Sequence, residues 1–270
     1  MDRNEIINSG ESILKIIACI KQVPDSEAKI KAENGQINTG DSPLVINPFD
    51  EYAVEGALQQ REAVSGSTVT ALCIGPESAK EALKHALAMG ADDAILVSDP
   101  ALNTLDTVGA ARVLAAAIQK IDGVDMVVFG RQTLDNGSGL TSAQTARILG
   151  WSLLGLAGQI KVQERSVTVE RVIEEGRQTV KANLPAVISV VQSIGEPRYP
   201  SFMGIRKASK AEIPVWSLSD LGIAAPEAII KRSELMNPPA RETSVEIISG
   251  ESPAEIADKL ADKLIAEKVL

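Results

Sequence analysis

The residues best suited to chemistry in this 270-residue chain sit in one stretch, GRQTLDNGSGLTSAQTARILG, from Gly130 to Gly150. It follows the apolar run VDMVVFG, is rich in Gly, Asp, Asn, Ser and Thr, and leads into a helix-like pattern that stops at Gly150. Free backbone N–H groups at such a helix start, with the Ser138 and Thr141 hydroxyls, suit a phosphate. Spacing alone leaves a second reading open, a strand-to-helix loop with an ordinary cap. GSGLTS falls one residue short of G-x-G-x-x-G, and no acid follows about 20 residues beyond Gly139 in a strand-end context, which excludes the usual NAD fingerprint. No G-x-x-x-x-G-K-[ST] occurs either.

Other reactive side chains are few. His85 is the one histidine, placed in the helix-like stretch PESAKEALKHALAMG with no carboxylate or cysteine cluster near it in sequence. It is expected to be an ordinary helix-surface residue, and neither a catalytic residue nor a metal site is expected anywhere. Cys19 and Cys73 both lie inside apolar runs, which excludes a disulfide framework and suits a reducing cytoplasm. The first twelve residues are polar and lack the apolar core of a secretory signal. No apolar run approaches the roughly 18 to 20 residues of a membrane span, so no direct membrane insertion is expected. With 27 basic against 36 acidic residues the net charge is −9, which argues against a nucleic-acid partner.

These residues need elements to position them. ILKIIACI (13–20), STVTALCIG (67–75), DDAILVSD (92–99) and VDMVVFG (124–130) read as buried strands. Between them PFDEYAVEGALQQREAV, PESAKEALKHALAMG and TLDTVGAARVLAAAIQKI read as helices, the first with Asn47 as cap and Pro48 in its first turn. Asn34-Gly35 marks a tight hairpin. Apolar strands alternating with helices predict an α/β fold, a doubly wound and mostly parallel sheet covered on both faces. Ligands of such sheets bind beyond the carboxyl ends of the strands, here Cys19–Pro24, Cys73–Pro76 and Gly130–Gln132.

The second half changes character. GLAGQIKVQER, SVTVERVIEEGRQTVKAN and LPAVISVVQSI read as added strands, the middle run turning antiparallel at Glu174-Glu175-Gly176. From Gly195 the chain reads as a loop that stays out of the core. Between Arg198 and Lys210 it carries Arg198, Arg206, Lys207 and Lys210 and no acid, interleaved with Tyr199, Phe202, Met203 and Ile205. In an acidic chain this suits docking to an acidic partner, with a solvated connection as the plainer reading. SPAEIADKLADKLIAEKVL is an amphipathic C-terminal helix capped by Ser252, which packs on a partner or on its own domain. Three regions are expected: an extension at 1–12, an α/β domain at 13–195, and a recognition loop with a C-terminal arm at 196–270.

The chain resembles the β (small) subunits of electron transfer flavoproteins. The strongest match is VERVIEEGRQTVKANLPAVIS at 169–189. Supporting it are CIKQVPD at 19–25, INPFDEYAVEGAL at 46–58, CIGP at 73–76, GADDAILV at 90–97, GRQTLD at 130–135, EPRYPSFMGIRKA at 196–208 and DLGI at 220–223. The resemblance implies an adenine nucleotide-binding-like domain whose arm embraces a larger α subunit in an obligate heterodimer. It implies a shared FAD and, in the β subunit, either AMP or the adenylate part of a second FAD, the latter in electron-bifurcating members. Electrons would pass from a flavin-containing dehydrogenase, such as an acyl-CoA dehydrogenase, to an acceptor. The chain would be a carrier subunit rather than an enzyme.

Carried over by motif, Ala18, Cys19, Lys21, Asn47 and Cys73 would line the adenosine site. The loop with Gln132, Asp135, Asn136, Gly137, Ser138, Gly139, Leu140 and Thr141 would hold the phosphates. Gly137 stands where the family usually has an acid and Leu140 where it usually has Gln, so the loop matches neither the AMP nor the FAD pattern. INPFDEY and RYPSFMGI lean towards bifurcating relatives, and ILGW at 148–151 leans the other way. Phe202 aligns with the family's apolar docking anchor, with Met203 beside it and Arg206 and Lys207 as steering charges. Two readings from other classes compete: a free-standing adenine-nucleotide sensor and an ATP-cleaving ligase of related fold. The second lacks a Ser-Gly-Gly phosphate motif after the first strand, where Lys21-Gln22-Val23-Pro24 stands.

Overall fold

In the computed structural model, residues 13–230, 233–239 and 245–269 are described. The extension expected at 1–12 lies outside them. The described residues fall into two compact units, one ending at Glu234 and the other beginning at Leu235.

The first unit begins with β1 (Lys15–Ile20), β2 (Gln22–Pro24), β3 (Lys31–Glu33), β4 (Gln36–Asn38), β5 (Leu44–Ile46) and α1 (Pro48–Ala63). There follow β6 (Thr68–Ile74), α2 (Lys80–Met89), β7 (Asp93–Val97), α3 (Thr107–Lys120), β8 (Met126–Gly130) and α4 (Thr141–Leu149). The added strands are β9 (Ser152–Gln163), β10 (Ser166–Ile173), β11 (Gly176–Asn183) and β12 (Ala186–Val190). A short helix α5 (Phe202–Ala208) and a two-residue strand β13 (Val215–Trp216) come last.

Nine strands form one sheet in the order β11-β10-β9-β12-β8-β1-β6-β7-β13. The central pairs β12–β8, β8–β1, β1–β6 and β6–β7 are all parallel, and β9–β10–β11 is an antiparallel meander at one end. The added strands therefore extend the sheet. Side-chain alternation along β1 builds two cores. Leu14, Ile16, Ala18 and Ile20 face α1 and α2, where Ala53, Leu58 and Leu83 are fully buried. Ile17 and Cys19 face α3 and α4 through Val113, Ile118 and Ala146. Small residues on α1, among them Ala53, Gly56 and Ala57, let that helix lie close to the sheet. The hairpin expected at Asn34-Gly35 joins β3 to β4, with both residues at positive φ (52° and 74°), the twist a two-residue turn requires.

After β1 the chain builds β6 and β7 on one side, then crosses back to place β8 on the other. The carboxyl ends of β1 and β8 thus form a switch point, the place where folds of this class have their ligand crevice. Gly130 ends β8 there because nothing larger fits: a Cβ would lie 2.4 Å from the Phe49 carbonyl oxygen and 2.5 Å from Asp50 Oδ1.

The stretch after Gly195 differs from its sequence reading. Ser201 accepts a hydrogen bond from the Gly204 N–H and starts α5, and Ala208 and Leu218 are buried, one in each core. The signal was present in the sequence: Ser201 before an apolar, basic run is a helix cap. Residues 196–230, grouped with the arm by sequence, fall in the same compact unit as the α/β domain. The second unit holds α6 (Pro253–Ala266), capped by Ser252 through the Glu255 N–H as expected, and none of its residues is buried.

The Gly130 contact gives a direct test. Gly130→Ala drives a methyl group into backbone that cannot yield, and should destabilise the domain by about 3 kcal/mol or more in urea unfolding.

Candidate functional site

The crevice is built from the first turn of α1 outwards. Asn47 is fully buried and occupies the N-cap position, but its side chain does not cap the helix. Its amide instead donates to the Gln132 carbonyl (2.9 Å) and accepts from the Leu134 N–H (3.0 Å). Its own backbone N–H reaches the Lys21 carbonyl (2.8 Å). Asn47 therefore stitches the loop after β8 to the end of β1. It does not present a free side chain to a ligand.

Asp50, one helical turn on, is the residue that sequence reasoning missed. Its carboxylate is 6% exposed and accepts from the Lys21 N–H (2.9 Å), from the Gly130 N–H and from the Asn47 side chain. It thus ties together the last residues of β1 and β8. Burial pushes its pKa up to about 7, against the pull of those donors and of the Lys21 charge. Its signal in the sequence was an acid three residues after Asn47, the spacing of a capping box.

Ala18, Cys19 and Cys73 have side chains at most 4% exposed, divided between the two sheet cores. They lie beneath the crevice instead of opening onto it. Burial drives the Cys19 thiol well above its ordinary value and pushes Cys73 up to about 12, so both are inert thiols in the fold. Lys21 does reach the crevice, and its ammonium pairs with Asp135 across it.

The loop from Gln132 to Thr141 is open. Asp135, Asn136, Gly137, Ser138, Gly139 and Leu140 are exposed, and Gly137 and Gly139 take left-handed φ values of +61° and +62°. The Gly137 N–H turns back to the Thr133 carbonyl (2.8 Å). No side chain caps α4, so its leading N–H groups remain available. Thr107 Oγ1 at the start of α3, and Gln144 Oε1 and Thr145 Oγ1 on α4, are buried with no hydrogen-bond partner. Buried polar atoms of this kind mark places where a water or a ligand completes the structure. Uncapped N–H groups, hydroxyls, flexible glycines and one ammonium together form a donor set that fits a phosphate.

The second candidate surface is α5. Tyr199, Phe202, Met203 and Ile205 are exposed, Phe202 by 81%. Gly204 lets α5 sit on the end of α2, since a Cβ there would lie 2.3 Å from the Ala88 carbonyl oxygen. Arg206 and Lys207 are exposed beside the apolar residues. Arg198 is not free for a partner. Its guanidinium and N–H bind the Glu55 carboxylate (2.8, 3.0 and 3.1 Å), and its other nitrogen pairs with Glu62, both on α1. Arg198 is therefore a strut that fixes the entry to α5, and Glu55 is held below the usual carboxylate range by its bonds to Arg198 against the opposing effect of burial. His85 has a carboxylate neighbour after all: its Nε2 lies 2.8 Å from Glu51 Oε1, an α2–α1 contact on the helix surface.

Among the described residues no group of three or more His, Cys, Asp or Glu is placed to hold a metal ion, and no helix is long and apolar enough to cross a membrane.

The open parallel sheet, with its glycine-rich loop at the switch point, defines an α/β protein of the doubly wound class. Within that class, residues 35–221 match the electron transfer flavoprotein domain family. The electron transfer flavoprotein subunit beta of Megasphaera elsdenii is 35% identical, over 95% of this chain and all of the relative. The caffeyl-CoA reductase-Etf complex subunit CarD of Acetobacterium woodii is 33% identical, over 95% of this chain and all of the relative. The Bacillus subtilis electron transfer flavoprotein subunit beta is 33% identical over 94% and 98%. The chain belongs to the electron transfer flavoprotein family, among its β subunits, which are electron carriers rather than enzymes in their own right.

Asp50 sets a pH dependence. The folded state holds its proton up to about pH 7, whereas the unfolded chain releases it near 3.8. Its contribution to stability is therefore full below the lower value and is lost as pH rises through about 7. Asp50→Asn, neutral throughout, lacks this loss, so its Tm relative to the wild type should rise steadily from about pH 4 to about pH 7 and level off above that.

Proposed function

We propose that this chain is the β subunit of a heterodimer with an electron transfer flavoprotein α subunit, and that its switch-point crevice holds an adenine nucleotide. The observation that carries the reading is the coincidence of the family match with the donor set at that crevice. The loop at 132–141 lies where a phosphate would bind in a fold of this class, and α1 holds it through the Asn47 amide. The nucleotide is AMP or the adenylate part of a second FAD. Lys21, Ser138, Thr141 and the leading N–H groups of α4 would meet its phosphates.

A flavin, when bound, supplies the redox chemistry, and the protein supplies position and environment. What this chain contributes to electron transfer is docking. Phe202 and Met203 would enter a pocket on a flavin-containing dehydrogenase, such as an acyl-CoA dehydrogenase, with Arg206 and Lys207 steering an acidic partner. The unit that starts at Leu235, with its unburied helix α6, would embrace the α subunit. The unpaired thiols Cys19 and Cys73 support a cytoplasmic setting. The relative from a caffeyl-CoA reductase-Etf complex supports a bifurcating role without deciding it.

Two experiments test the reading. The complex co-purified with its α subunit is denatured, and released FAD and AMP are counted per heterodimer. Two FAD without AMP assign a bifurcating flavoprotein, and one of each assigns a simple carrier. Absence of both from an intact complex would refute the nucleotide reading. Separately, Phe202→Ala should raise about tenfold or more the carrier concentration needed for half-maximal electron transfer from the dehydrogenase, with nucleotide content unchanged. An unchanged rate would remove Phe202 as the anchor.

A further inference from the structure

The exposed side chains of Tyr199, Phe202 and Met203 sit on a short span between two fixed points. At its far end Gly204 is seated against the Ala88 carbonyl of α2, where no Cβ fits. At its near end Arg198 is held by α1 through main chain and side chain together. Its N–H and guanidinium meet the Glu55 carboxylate in three hydrogen bonds of 2.8 to 3.1 Å, and two more reach Glu62. Glu55 is 6% exposed, and Gln59 donates both to it (3.3 Å) and to the Ile194 carbonyl (3.1 Å) just before the span. Pro200 restricts the backbone in between. Lifting the span from α1 would strand a buried carboxylate, which is costly.

This bracing bears on docking, because a surface segment that must be ordered on contact weakens association. A segment already held in one conformation avoids that loss. Charge gives the opposite expectation. Glu55 and Glu62 set two acids against one guanidinium, close to a face whose exposed cations, Arg206 and Lys207, suit an acidic partner. On steering alone, both acids oppose docking. We infer that Arg198 is a positioning residue for electron transfer, held by Glu55 and Glu62 so that residues 199–203 are set in their docking conformation before the dehydrogenase arrives. The two acids favour docking through geometry although their charge opposes it. Arg198 acts through the placement of Tyr199 and Phe202 and makes no contact of its own with the dehydrogenase.

The inference rests on the docking reading proposed above, and its test separates the two. The heterodimer is assayed at increasing concentration with an acyl-CoA dehydrogenase reduced by its acyl-CoA substrate. Wild type, Phe202→Ala, the double variant Glu55→Gln/Glu62→Gln and all three changes together are compared. The double variant should need about fivefold to tenfold more carrier for half-maximal transfer, with limiting rate and nucleotide content unchanged. Added to Phe202→Ala, it should weaken docking by less than about twofold more, since its effect runs through that anchor. Hydrogen exchange at residues 199–205, which needs no dehydrogenase, should quicken about tenfold in the double variant while the sheet strands stay unchanged. Docking as good as or better than wild type would overturn the inference and leave the docking reading intact. So would unchanged exchange, a loss confined to the limiting rate, or losses that add fully with Phe202→Ala. If Phe202→Ala alone changes nothing, the docking reading fails and the inference falls with it. Should the double variant fail to fold, Arg198→Lys provides the comparison with the same outcomes, because it keeps the charge and loses the forked pairing.

Discussion

Buried hydrogen bonds from the first turn of α1 hold the functional end of this molecule in shape. Asn47 spends both ends of its amide on the main chain of the loop after β8, and Asp50 spends its carboxylate on the ends of β1 and β8. Groups so deeply buried are expensive to leave unpaired. Moving the loop would orphan the Asn47 amide together with Gln132 O and the Leu134 N–H, so the loop's root is fixed even though its tip is open to solvent. The glycines at 137 and 139 then supply local freedom on a rigid base.

The same helix serves the other surface. Eight residues beyond Asn47, Glu55 receives Arg198, and Glu62 receives it again a further two turns on. With 16 residues, α1 spans about 24 Å. One element therefore carries the root of the 132–141 loop at its start and the brace of the segment leading into α5 along its length. Its small residues press it against the sheet, so neither end is adjusted independently of the core.

Much of this was legible from local patterns. Apolar runs of strand length, Gly90 and Gly150 as helix stops, and the Asn34-Gly35 turn placed the elements, because each depends on residues close in sequence. The long-range polar pairings were not legible. Asn47 looked like a helix cap, since nothing near it in sequence reveals that Gln132 and Leu134 compete for its amide. Arg198 looked like one more positive charge in a basic segment, since its partners lie 136 and 143 residues earlier. The family motif points Cys19 and Cys73 towards an adenosine site, while β-strand alternation buries their side chains in opposite cores. The segment leading through α5 carries little core signal in sequence, because that helix is short and its buried positions, Ala208 and Leu218, are widely spaced.

The contact of Gly204 with the Ala88 carbonyl bears on how such a carrier changes partners over evolutionary time. A helix seated backbone to backbone needs no matching side chain beneath it, so its outer positions are released from any packing duty. Tyr199, Phe202, Met203 and Arg206 are free to vary while the seat stays the same. In the docking proposed above, recognition would be a replaceable face on a fixed mount, altered at a few exposed residues without disturbing the sheet or the root of the 132–141 loop.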